Sequence, residues 1–505
     1  MRFNETTKET AKTLNYEGAK AYKMSPEMEL YSAVVTCMVD DSYYEAAEER
    51  LVRIRELIGK CKPEFTAKLA VYARTAMNMR SIPVVLAVEL AKISSGNDLV
   101  QRLVSNIVRR ADEITEVLAY YQTANERTET KKLNRLSKQL QKGLQQAFNR
   151  FDEYQFAKYN RDTAVKLRDA LFIVHPKAKD GAQQQIFNKI VDNKLDTPYT
   201  WETELSALGQ QNFENAEAKA AAFRAKWEEL LDSGKVGYMA LLRNIRNILQ
   251  ANVSAEHVKE LCKALSFPDA VRKSKQLPFR FLSAYRETSK IENGFAPQIM
   301  DALEKAAAIS SENIAGFDEN TRVVVACDVS GSMQCTISQR SSIQNYDIGL
   351  MLGMLLKNRC KNVISGIFGN TWKVVNLPST CILSNVDAFY KREGEVGYST
   401  NGYLVVKDLL DRKLEMNKIF IFTDCQMWNS RGDGETMQRE WSKYKKICPQ
   451  AKLYLFDLSG YGNTPLNIAE KDVYLLAGWS DKVFDTLAAL EKGENGLAEI
   501  NKIVL

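Results

Sequence analysis

The sequence predicts two domains of different fold class, an all-α array of helical repeats over residues 1–316 and a doubly wound α/β domain over residues 317–505. In residues 25–310, apolar residues recur at helical spacing between short connections, and no strand pattern interrupts them. From Thr321 onward, short apolar runs typical of buried strands alternate with helical patterns. A chain of 505 residues is also too long for a single hydrophobic core.

The helical region begins with five helix patterns. They span Glu27–Met38, Glu45–Ile58, Pro63–Met79, Ile82–Lys92 and Asp98–Arg109. No clean sequence period links them, which is typical of degenerate HEAT-like repeats and also allows an irregular helical domain. The stretch Ala307–Asn320, which contains Ser, Gly and Asn, marks the predicted domain boundary.

The α/β region contains four strand patterns and two helix patterns. The strands are predicted at Val323–Cys327, Val363–Phe368, Ile419–Thr423 and Leu453–Asp457, and the helices at Ile343–Lys357 and Leu404–Arg412. Such alternation predicts a mainly parallel sheet, and sheets of this kind bind ligands at the carboxyl ends of their strands.

The net charge of +6 is unevenly distributed along the chain. Residues 1–316 hold 47 Lys and Arg against 41 Asp and Glu, whereas residues 317–505 balance at 22 against 22. Residues 51–150 alone carry 18 basic and 9 acidic side chains. This asymmetry indicates a polyanionic partner for the helical domain.

The sequence does not favour a membrane-spanning, secreted or disulfide-rich protein. Ile82–Leu90 is the nearest approach to an apolar span, and Pro83 and Glu89 interrupt it. The polar N-terminus lacks a signal-peptide core. Nine cysteines without a C-x-x-C pair predict reduced, mostly buried thiols, so a cytoplasmic protein is expected.

The most informative motif is RVVVACDVSGSM, in which Asp328, Ser330 and Ser332 follow a buried strand. Downstream, Thr400 precedes a predicted helix and Asp424 ends another strand. In this order, the five side chains resemble the metal-ion-dependent adhesion site of von Willebrand factor A domains. An all-oxygen donor set favours a hard divalent cation over zinc or copper, with Mg²⁺ expected and Mn²⁺ or Ca²⁺ as alternatives.

Only two of these five donors are charged, so the resemblance implies an ion that accepts a further carboxylate from a partner. The plainer alternative is that Ser330 and Ser332 cap a helix and that Asp424 simply ends its strand. The second loop reads Gly-Tyr-Ser-Thr where many relatives have a Gly-Gly-Thr turn, and its Tyr398 bears on access to the ion.

An ordered set of short stretches runs through the helical region: Asn15–Lys20, Glu29–Thr36, Tyr43–Leu57, Asn78–Leu86, Leu171–Lys177, Gly237–Asn244 and Leu277–Leu282. In this order they resemble the TROVE module of the Ro autoantigen family, in its bacterial type. A TROVE module followed by an A-type domain is the arrangement of that family.

The Ro resemblance implies a HEAT-like ring with a basic central hole and an A domain where the ring closes. It implies two RNA partners: misfolded structured RNAs whose single-stranded 3′ ends enter the hole, and small non-coding Y-like RNAs on the outer surface. It further implies a role in RNA quality control without catalysis, and an exoribonuclease tethered through RNA. A closed single-chain ring favours a monomer.

Candidate RNA-binding residues come from the basic stretch 127–168 and from the family resemblance. Helical spacing places one set on a common face: Lys131, Arg135, Lys138 and Lys142. The resemblance implies that Lys158 and His175 belong to the Y-RNA surface. Arg161 and Arg168 lie near them in the sequence and are candidates to extend that patch. A solvated helix face is the alternative for each lysine. Five further arginines are candidates either for the hole or for interhelical ion pairs: Arg74, Arg80, Arg102, Arg109 and Arg110.

Three functions compete on this basis: an RNA-binding ribonucleoprotein component without catalysis, a metal-dependent protein-binding scaffold, and a metal-dependent nuclease. A two-metal nuclease needs clustered carboxylates, and Asp328 with Asp424 alone match this poorly. The sequence contains no P-loop and no dinucleotide fingerprint. The basic excess of the helical domain favours the RNA binder over the scaffold.

Overall fold

The computed structural model describes residues 12–37, 42, 44–125, 136–312, 317, 320–338, 341–428, 436–480 and 482–505. Their contacts divide the chain into two compact units that interleave along the sequence. The α/β unit combines residues 300–499 with residues 266–286 and the N-terminal segment up to residue 57. The helical unit contains residues 58–265, 287–299 and 500–505. The boundary at residue 316 stays a prediction about the order of domains in the sequence.

The first part of the chain forms two short strands and then a succession of helices. The strands are β1 (Lys12–Leu14) and β2 (Lys20–Lys23). The helices are α1 (Pro26–Val35), α2 (Ala47–Lys60), α3 (Pro63–Thr75), α4 (Ser81–Ile93), α5 (Leu99–Ile107), α6 (Asp112–Ala124), α7 (Lys138–Phe148), α8 (Glu153–Tyr159), α9 (Leu167–Val174), α10 (Gly181–Val191), α11 (Trp201–Gly209), α12 (Ala216–Asp232), α13 (Tyr238–Gln250), α14 (Ala255–Ser266), α15 (Pro268–Ser274), α16 (Pro278–Ser289) and α17 (Ala296–Ser310).

The predicted helical array is confirmed, and the five predicted helices match α1–α5 to within a few residues. Local chemistry sets several of their ends. Proline occupies the first turn of α1, and the side chain of Ser25 accepts a hydrogen bond from Met28 N before it. Within the described residues, no helix is long and apolar enough to cross a membrane. Closure of the helices into a ring stays a prediction.

The remainder of the chain alternates strands and helices, as predicted. The elements are β3 (Arg322–Asp328), α18 (Asn345–Arg359), β4 (Asn362–Phe368), β5 (Trp372–Val374), α19 (Leu383–Tyr390), α20 (Tyr403–Asp411), β6 (Lys418–Thr423), α21 (Met437–Ile447), β7 (Lys452–Asp457), β8 (Asn463–Thr464), β9 (Val473–Ala477), α22 (Val483–Glu491) and α23 (Ala498–Asn501). The sequence patterns did not predict the short strands β5 and β8, or β9.

Six of these strands form one sheet in the order β5-β4-β3-β6-β7-β9. All neighbours are parallel except β5, which runs antiparallel to β4. The chain leaves β3 toward β4 on one side and later returns to β6 on the other side. The strand order therefore reverses between β3 and β6, and ligands of open α/β sheets bind at such a switch point.

The sheet is buried on both faces, which explains the continuous apolar runs in the sequence. On one face, side chains such as Val324, Ile421 and Leu455 pack with Val405 and Trp441 of α20 and α21. Helix α18 is buried almost throughout its length. The interior of the sheet thus holds the loops at the carboxyl ends of β3 and β6 on a rigid base.

The N-terminal segment is part of the α/β unit. Strand β2 pairs antiparallel with β8, which extends β1 and β2 into a small three-stranded sheet. Ser32 of α1 donates a 2.5 Å hydrogen bond to the Asp457 carboxylate at the end of β7. The same carboxylate, which is fully buried, accepts from the backbone N–H groups of Ser459 (3.1 Å) and Gly460 (2.8 Å). Asp457 therefore links the N-terminal segment to the sheet.

Replacement of Asp457 by alanine is expected to destabilise the α/β unit by about 3 kcal/mol, because three buried donors lose their shared acceptor. Thermal unfolding and amide hydrogen exchange of α1 measure this effect. Asp411→Ala, at an exposed position on α20, is the matched control and is expected to change stability little. Equal stability of the two variants would contradict the linking role of Asp457.

Candidate functional site

The loops that carry the five predicted cation ligands meet at the carboxyl edge of the sheet. Asp328 ends β3 and Asp424 follows β6, and these two strands are paired neighbours. Gly331 N donates to Tyr398 O (3.2 Å), and Trp428 N donates to Thr400 O (3.0 Å). The loop that carries Thr400 is thereby tied to the loops after β3 and β6. The fold thus brings together side chains that lie up to 96 positions apart in the sequence.

The Asp328 carboxylate is held on both oxygens. Its Oδ1 accepts from Ser330 N (2.9 Å), and its Oδ2 accepts from the Thr423 hydroxyl (2.6 Å). The Ser330 and Ser332 hydroxyls lie 3.4 Å apart beside it. Burial raises the pKa of Asp328 to about 6, although these hydrogen bonds offset part of the rise.

Asp424 is less well satisfied than Asp328. Its Oδ1 accepts from Gln426 N (3.0 Å), whereas no hydrogen bond of normal geometry reaches the buried Oδ2 from the described residues. Burial, and next the charge of Asp328, raise the pKa of Asp424 to about 7, while the nearby Ser332 hydroxyl lowers it. Two buried carboxylates, one of which has an oxygen without a hydrogen bond, lower the stability of the folded state unless a positive charge compensates them.

This edge fits a divalent cation. It offers two carboxylates and three hydroxyls, all oxygen donors of the kind that Mg²⁺, Mn²⁺ or Ca²⁺ accepts. Within the described residues, no three His, Cys, Asp or Glu side chains are grouped to hold a metal, so an ion here would depend on the hydroxyl donors. Sequence reasoning missed Thr423, which positions Asp328. The sequence feature that could have identified Thr423 is its hydroxyl side chain, directly before Asp424 at the end of a predicted strand.

A second candidate site lies in the helical unit, on the exposed face of α9. Arg168 and Phe172 are four residues apart and share one face of α9, and His175 follows the helix as its C-cap in a left-handed conformation. All three are exposed, and Phe172 is 51% accessible. The Arg168 guanidinium lies 5.8 Å from the centroid of the Phe172 ring. Sequence reasoning proposed Arg168 and His175 but missed Phe172, although Phe172 lies within the stretch Leu171–Lys177 that carries part of the family resemblance.

A basic pocket adjoins the start of α9. It has a volume of about 450 Å³ and is lined by Asn160, Arg161, Asp162, Lys166, Arg168, Ile190 and Asn193. The pocket contains three cationic side chains, and one of them, Lys166, forms an ion pair with Asp162 at 2.8 Å. Arg161 and Arg168 are exposed, and the described residues provide neither with a carboxylate partner. Two guanidinium groups in a pocket of this size suit a phosphate or nucleotide.

Further cationic side chains lie on segments that are held together. Gln145 Nε2 of α7 donates to Val174 O (2.9 Å) and His175 O (3.2 Å), and Asn149 Nδ2 donates to Lys177 O (2.9 Å). These bonds place α7 beside the loop that follows α9. Both segments expose basic residues: Lys138 and Lys142 on α7, and Lys177 and Lys179 on the loop.

Lys158, on α8, belongs to a group of cations and aromatic rings. Its ammonium lies 5.6 Å from the centroid of the Tyr154 ring and 5.7 Å from that of Tyr159. The Arg110 guanidinium lies 4.2 Å from the Tyr159 centroid. Exposed rings beside cations are typical of surfaces on which single-stranded bases stack.

Most of the other candidate arginines in the described residues form ion pairs. Lys131 and Arg135 lie outside the described residues. Four of the five arginines considered for a central hole form ion pairs: Arg74 with Glu113, Arg80 with Asp112 and Glu113, Arg102 with Asp98, and Arg110 with Asp112. The fifth, Arg109, donates from its side chain to Asn106 O (3.2 Å). The ion-pair alternative therefore accounts for these four arginines.

Comparisons with known proteins match this architecture. The TROVE domain family matches residues 36–193 and 192–314. Telomerase protein component 1 of Mus musculus is 28% identical across 48% of this chain and 12% of its own length. The RNA-binding protein RO60 of Deinococcus radiodurans is 30% identical across 35% of this chain and 38% of its own length. The chain thus matches well under two thirds of each relative.

The crystal structure of the RO (RSR) protein of Deinococcus radiodurans has the same fold, with a TM-score of 0.60 and 16% identity over 93% of this chain and all of that one. The helical array and the α/β domain are both within that alignment. Because the family match extends over more than half of the sequence, this chain belongs to the Ro/TROVE family.

Proposed function

We propose that this protein binds RNA as the protein component of a ribonucleoprotein. The observation that carries the proposal is the exposed surface of α9 and its adjoining pocket. There, Arg161 and Arg168 line the pocket without carboxylate partners in the described residues, and Arg168 lies beside the exposed Phe172 ring. Arginine side chains bind phosphates through bidentate hydrogen bonds, and an exposed aromatic ring can stack on a base. The RNA-binding name of the Deinococcus relative supports the same assignment.

The finer part of the proposal concerns the kind of RNA. The α9 surface, with Lys158 and His175, would take a small non-coding Y-like RNA, while single-stranded 3′ ends of misfolded RNAs would bind elsewhere in the helical domain. The protein would act in RNA quality control without catalysis of its own, and an exoribonuclease would be recruited through the RNA. Structured RNA is recognised mainly through phosphates, 2′-hydroxyls and shape, which suits a cationic surface with few base-specific groups.

We further propose that the edge formed by Asp328, Ser330, Ser332, Thr400 and Asp424 holds a divalent cation, with Mg²⁺ as the expected ion. The unmatched Oδ2 of Asp424 supports this assignment. The alternative function, a scaffold that captures a partner's carboxylate at this ion, is less well supported. All five donors are at most 5% exposed, so a partner protein has little surface to reach.

The RNA-binding proposal predicts a steep dependence of affinity on salt. If about four to six phosphates are neutralised, the slope of log K against log salt should be about −3 to −5. Filter binding of a structured RNA with a single-stranded 3′ tail, from 50 to 300 mM KCl, measures this slope. A duplex DNA of equal length controls for non-specific attraction. Failure to bind the RNA at low salt would contradict the proposal.

A further inference from the structure

The cation edge is closed in this structure, although sites of this kind receive an external carboxylate. Ser332 and Thr400 are the most accessible of the five donors, at 4% and 5% exposure, and Asp328, Ser330 and Asp424 are at or below 2%. An ion held here would still need ligands beyond these side chains, because Mg²⁺ takes about six oxygens. The residues that cover the edge therefore decide what else can reach the ion.

A turn of the N-terminal segment is bonded directly to the loop after β6. Asn15 Nδ2 donates to Met427 O (2.7 Å), and Tyr16 N donates to Gln426 Oε1 (2.9 Å). The N–H of Gln426 is in turn the donor to Oδ1 of Asp424. The turn itself is closed by Asn15, whose Oδ1 accepts from Ala19 N (2.8 Å). Glu17 lies at the exposed tip of this turn.

Three tyrosine rings connect this turn to the cation edge. Tyr16 stacks on Tyr44 with centroids 5.2 Å apart, and both rings meet Tyr461 edge-on at 5.4 Å. The Tyr44 hydroxyl donates a hydrogen bond to the Glu17 carboxylate. It also interacts with the Ser332 hydroxyl, and the charge of Asp424 acts on it. The Tyr44 hydroxyl thus connects the Glu17 carboxylate to Ser332, one of the proposed cation ligands.

We propose that Glu17 and Tyr44 form an internal clasp over the cation edge, in which Glu17, held through the Tyr44 hydroxyl, occupies the approach that a partner's carboxylate would take. The clasp rests on the proposed cation site. Without a cation, the Glu17 carboxylate adds negative charge near an edge that already holds Asp328 and Asp424, and ionised carboxylates repel one another. A bound divalent ion reverses the sign of this interaction, because the ion attracts Glu17 toward the edge.

Cation binding and docking of the N-terminal segment are consequently coupled. Since coupling is reciprocal, a cation that favours the docked segment binds more tightly when the segment is docked. The clasp also accounts for the closed edge, because a docked turn excludes an external carboxylate. The cation would then fasten residues 12–23 to the sheet rather than recruit a second protein.

The coupling can be measured with Mn²⁺ as the probe. The full-length protein, Glu17→Gln and Tyr44→Phe are titrated with Mn²⁺ and followed by electron paramagnetic resonance of the free ion. Glu17→Gln is expected to weaken Mn²⁺ binding about fivefold, the lower end of typical coupling between sites. Tyr44→Phe keeps the stacked ring but loses the hydroxyl, so it is expected to weaken binding in the same direction. Glu56→Gln, at an exposed position on α2, is the matched control.

Amide hydrogen exchange supplies an independent readout. Mn²⁺ is expected to slow the exchange of residues 13–23 in the wild type and in Glu56→Gln, and to slow it much less in Glu17→Gln. The clasp would be contradicted if Glu17→Gln bound Mn²⁺ with wild-type affinity. It would also be contradicted if Mn²⁺ did not change the exchange of residues 13–23. Neither result would contradict the cation site. If the wild-type protein bound no Mn²⁺, both the clasp and the cation site would be contradicted. RNA binding, measured separately, distinguishes either failure from failure of the RNA-binding proposal.

Discussion

Mg²⁺ binding to the wild-type protein is expected to weaken roughly twentyfold when the pH falls from 8 to 6. At pH 8 both carboxyl groups of the cation edge are ionised. At pH 6 the pair retains protons, because burial and the repulsion between the two carboxylates raise their pKa values to about 6 and 7. The ion must displace these protons, so its apparent affinity falls. Isothermal titration calorimetry at both pH values measures the ratio, and proton release at pH 6 gives a second signature.

The same carboxyl groups make the stability of the cation-free protein depend on pH. Their folded-state pKa values lie above the usual value for aspartate, so the folded state binds protons more tightly than the unfolded chain does. The stability contributed by these groups is fully present below the ordinary aspartate pKa and is lost as the pH rises through about 6 to 7. Mg²⁺ is therefore expected to raise the melting temperature more at pH 8 than at pH 5.5.

Asp328→Ala is the control for this prediction. It removes one of the two charged ligands, so Mg²⁺ binding should be lost at both pH values while RNA affinity stays nearly unchanged. Affinity for Mg²⁺ that does not vary between pH 6 and pH 8 in the wild type would contradict the buried carboxylate pair as the binding site. An equal loss of RNA and Mg²⁺ binding in Asp328→Ala would contradict independent sites.

The sequence predicted the cation edge because its signals are local. Each predicted ligand follows a strand or precedes a helix that periodicity identifies, and parallel pairing then gathers the strand ends. Thr423 lay within a predicted strand, yet its role depends on the register of β6 against β3, which a single sequence does not specify. The short strands β5 and β8 were missed because a run of two or three residues carries too little periodicity.

The N-terminal segment shows a different limit of sequence reasoning. Tyr16 and Tyr461 are 445 positions apart, and nothing in the local pattern of either predicts their contact. The helices α1 and α2 were predicted, but their packing into the α/β unit depends on long-range bonds such as that between Ser32 and Asp457. The family resemblance pointed to His175, and Arg168 was proposed because it lies nearby in the sequence, whereas the exposure of Phe172 depends on the tertiary packing that leaves this face of α9 uncovered.

Charge reversal at the α9 pocket, as Arg161→Glu together with Arg168→Glu, is expected to weaken RNA binding about a hundredfold at 100 mM salt. Each change replaces an attraction to phosphate with a repulsion, and about 1.4 kcal/mol for each corresponds to a factor of ten. The slope of log K against log salt should become shallower by about two, because two phosphate contacts disappear. Filter binding across the salt series measures both quantities.

Lys219→Glu together with Lys259→Glu is the matched control for this charge reversal. Both lysines are exposed, on α12 and α14 of the helical unit, so the net charge changes equally without touching the pocket. If RNA binding fell through the net charge alone, the two double variants would lose the same affinity, and the pocket would have no special role. A loss confined to the arginine variant, with its Mg²⁺ affinity unchanged, would assign the RNA contact to Arg161 and Arg168. It would also separate that contact from the cation edge, because a change in global folding would lower both affinities together.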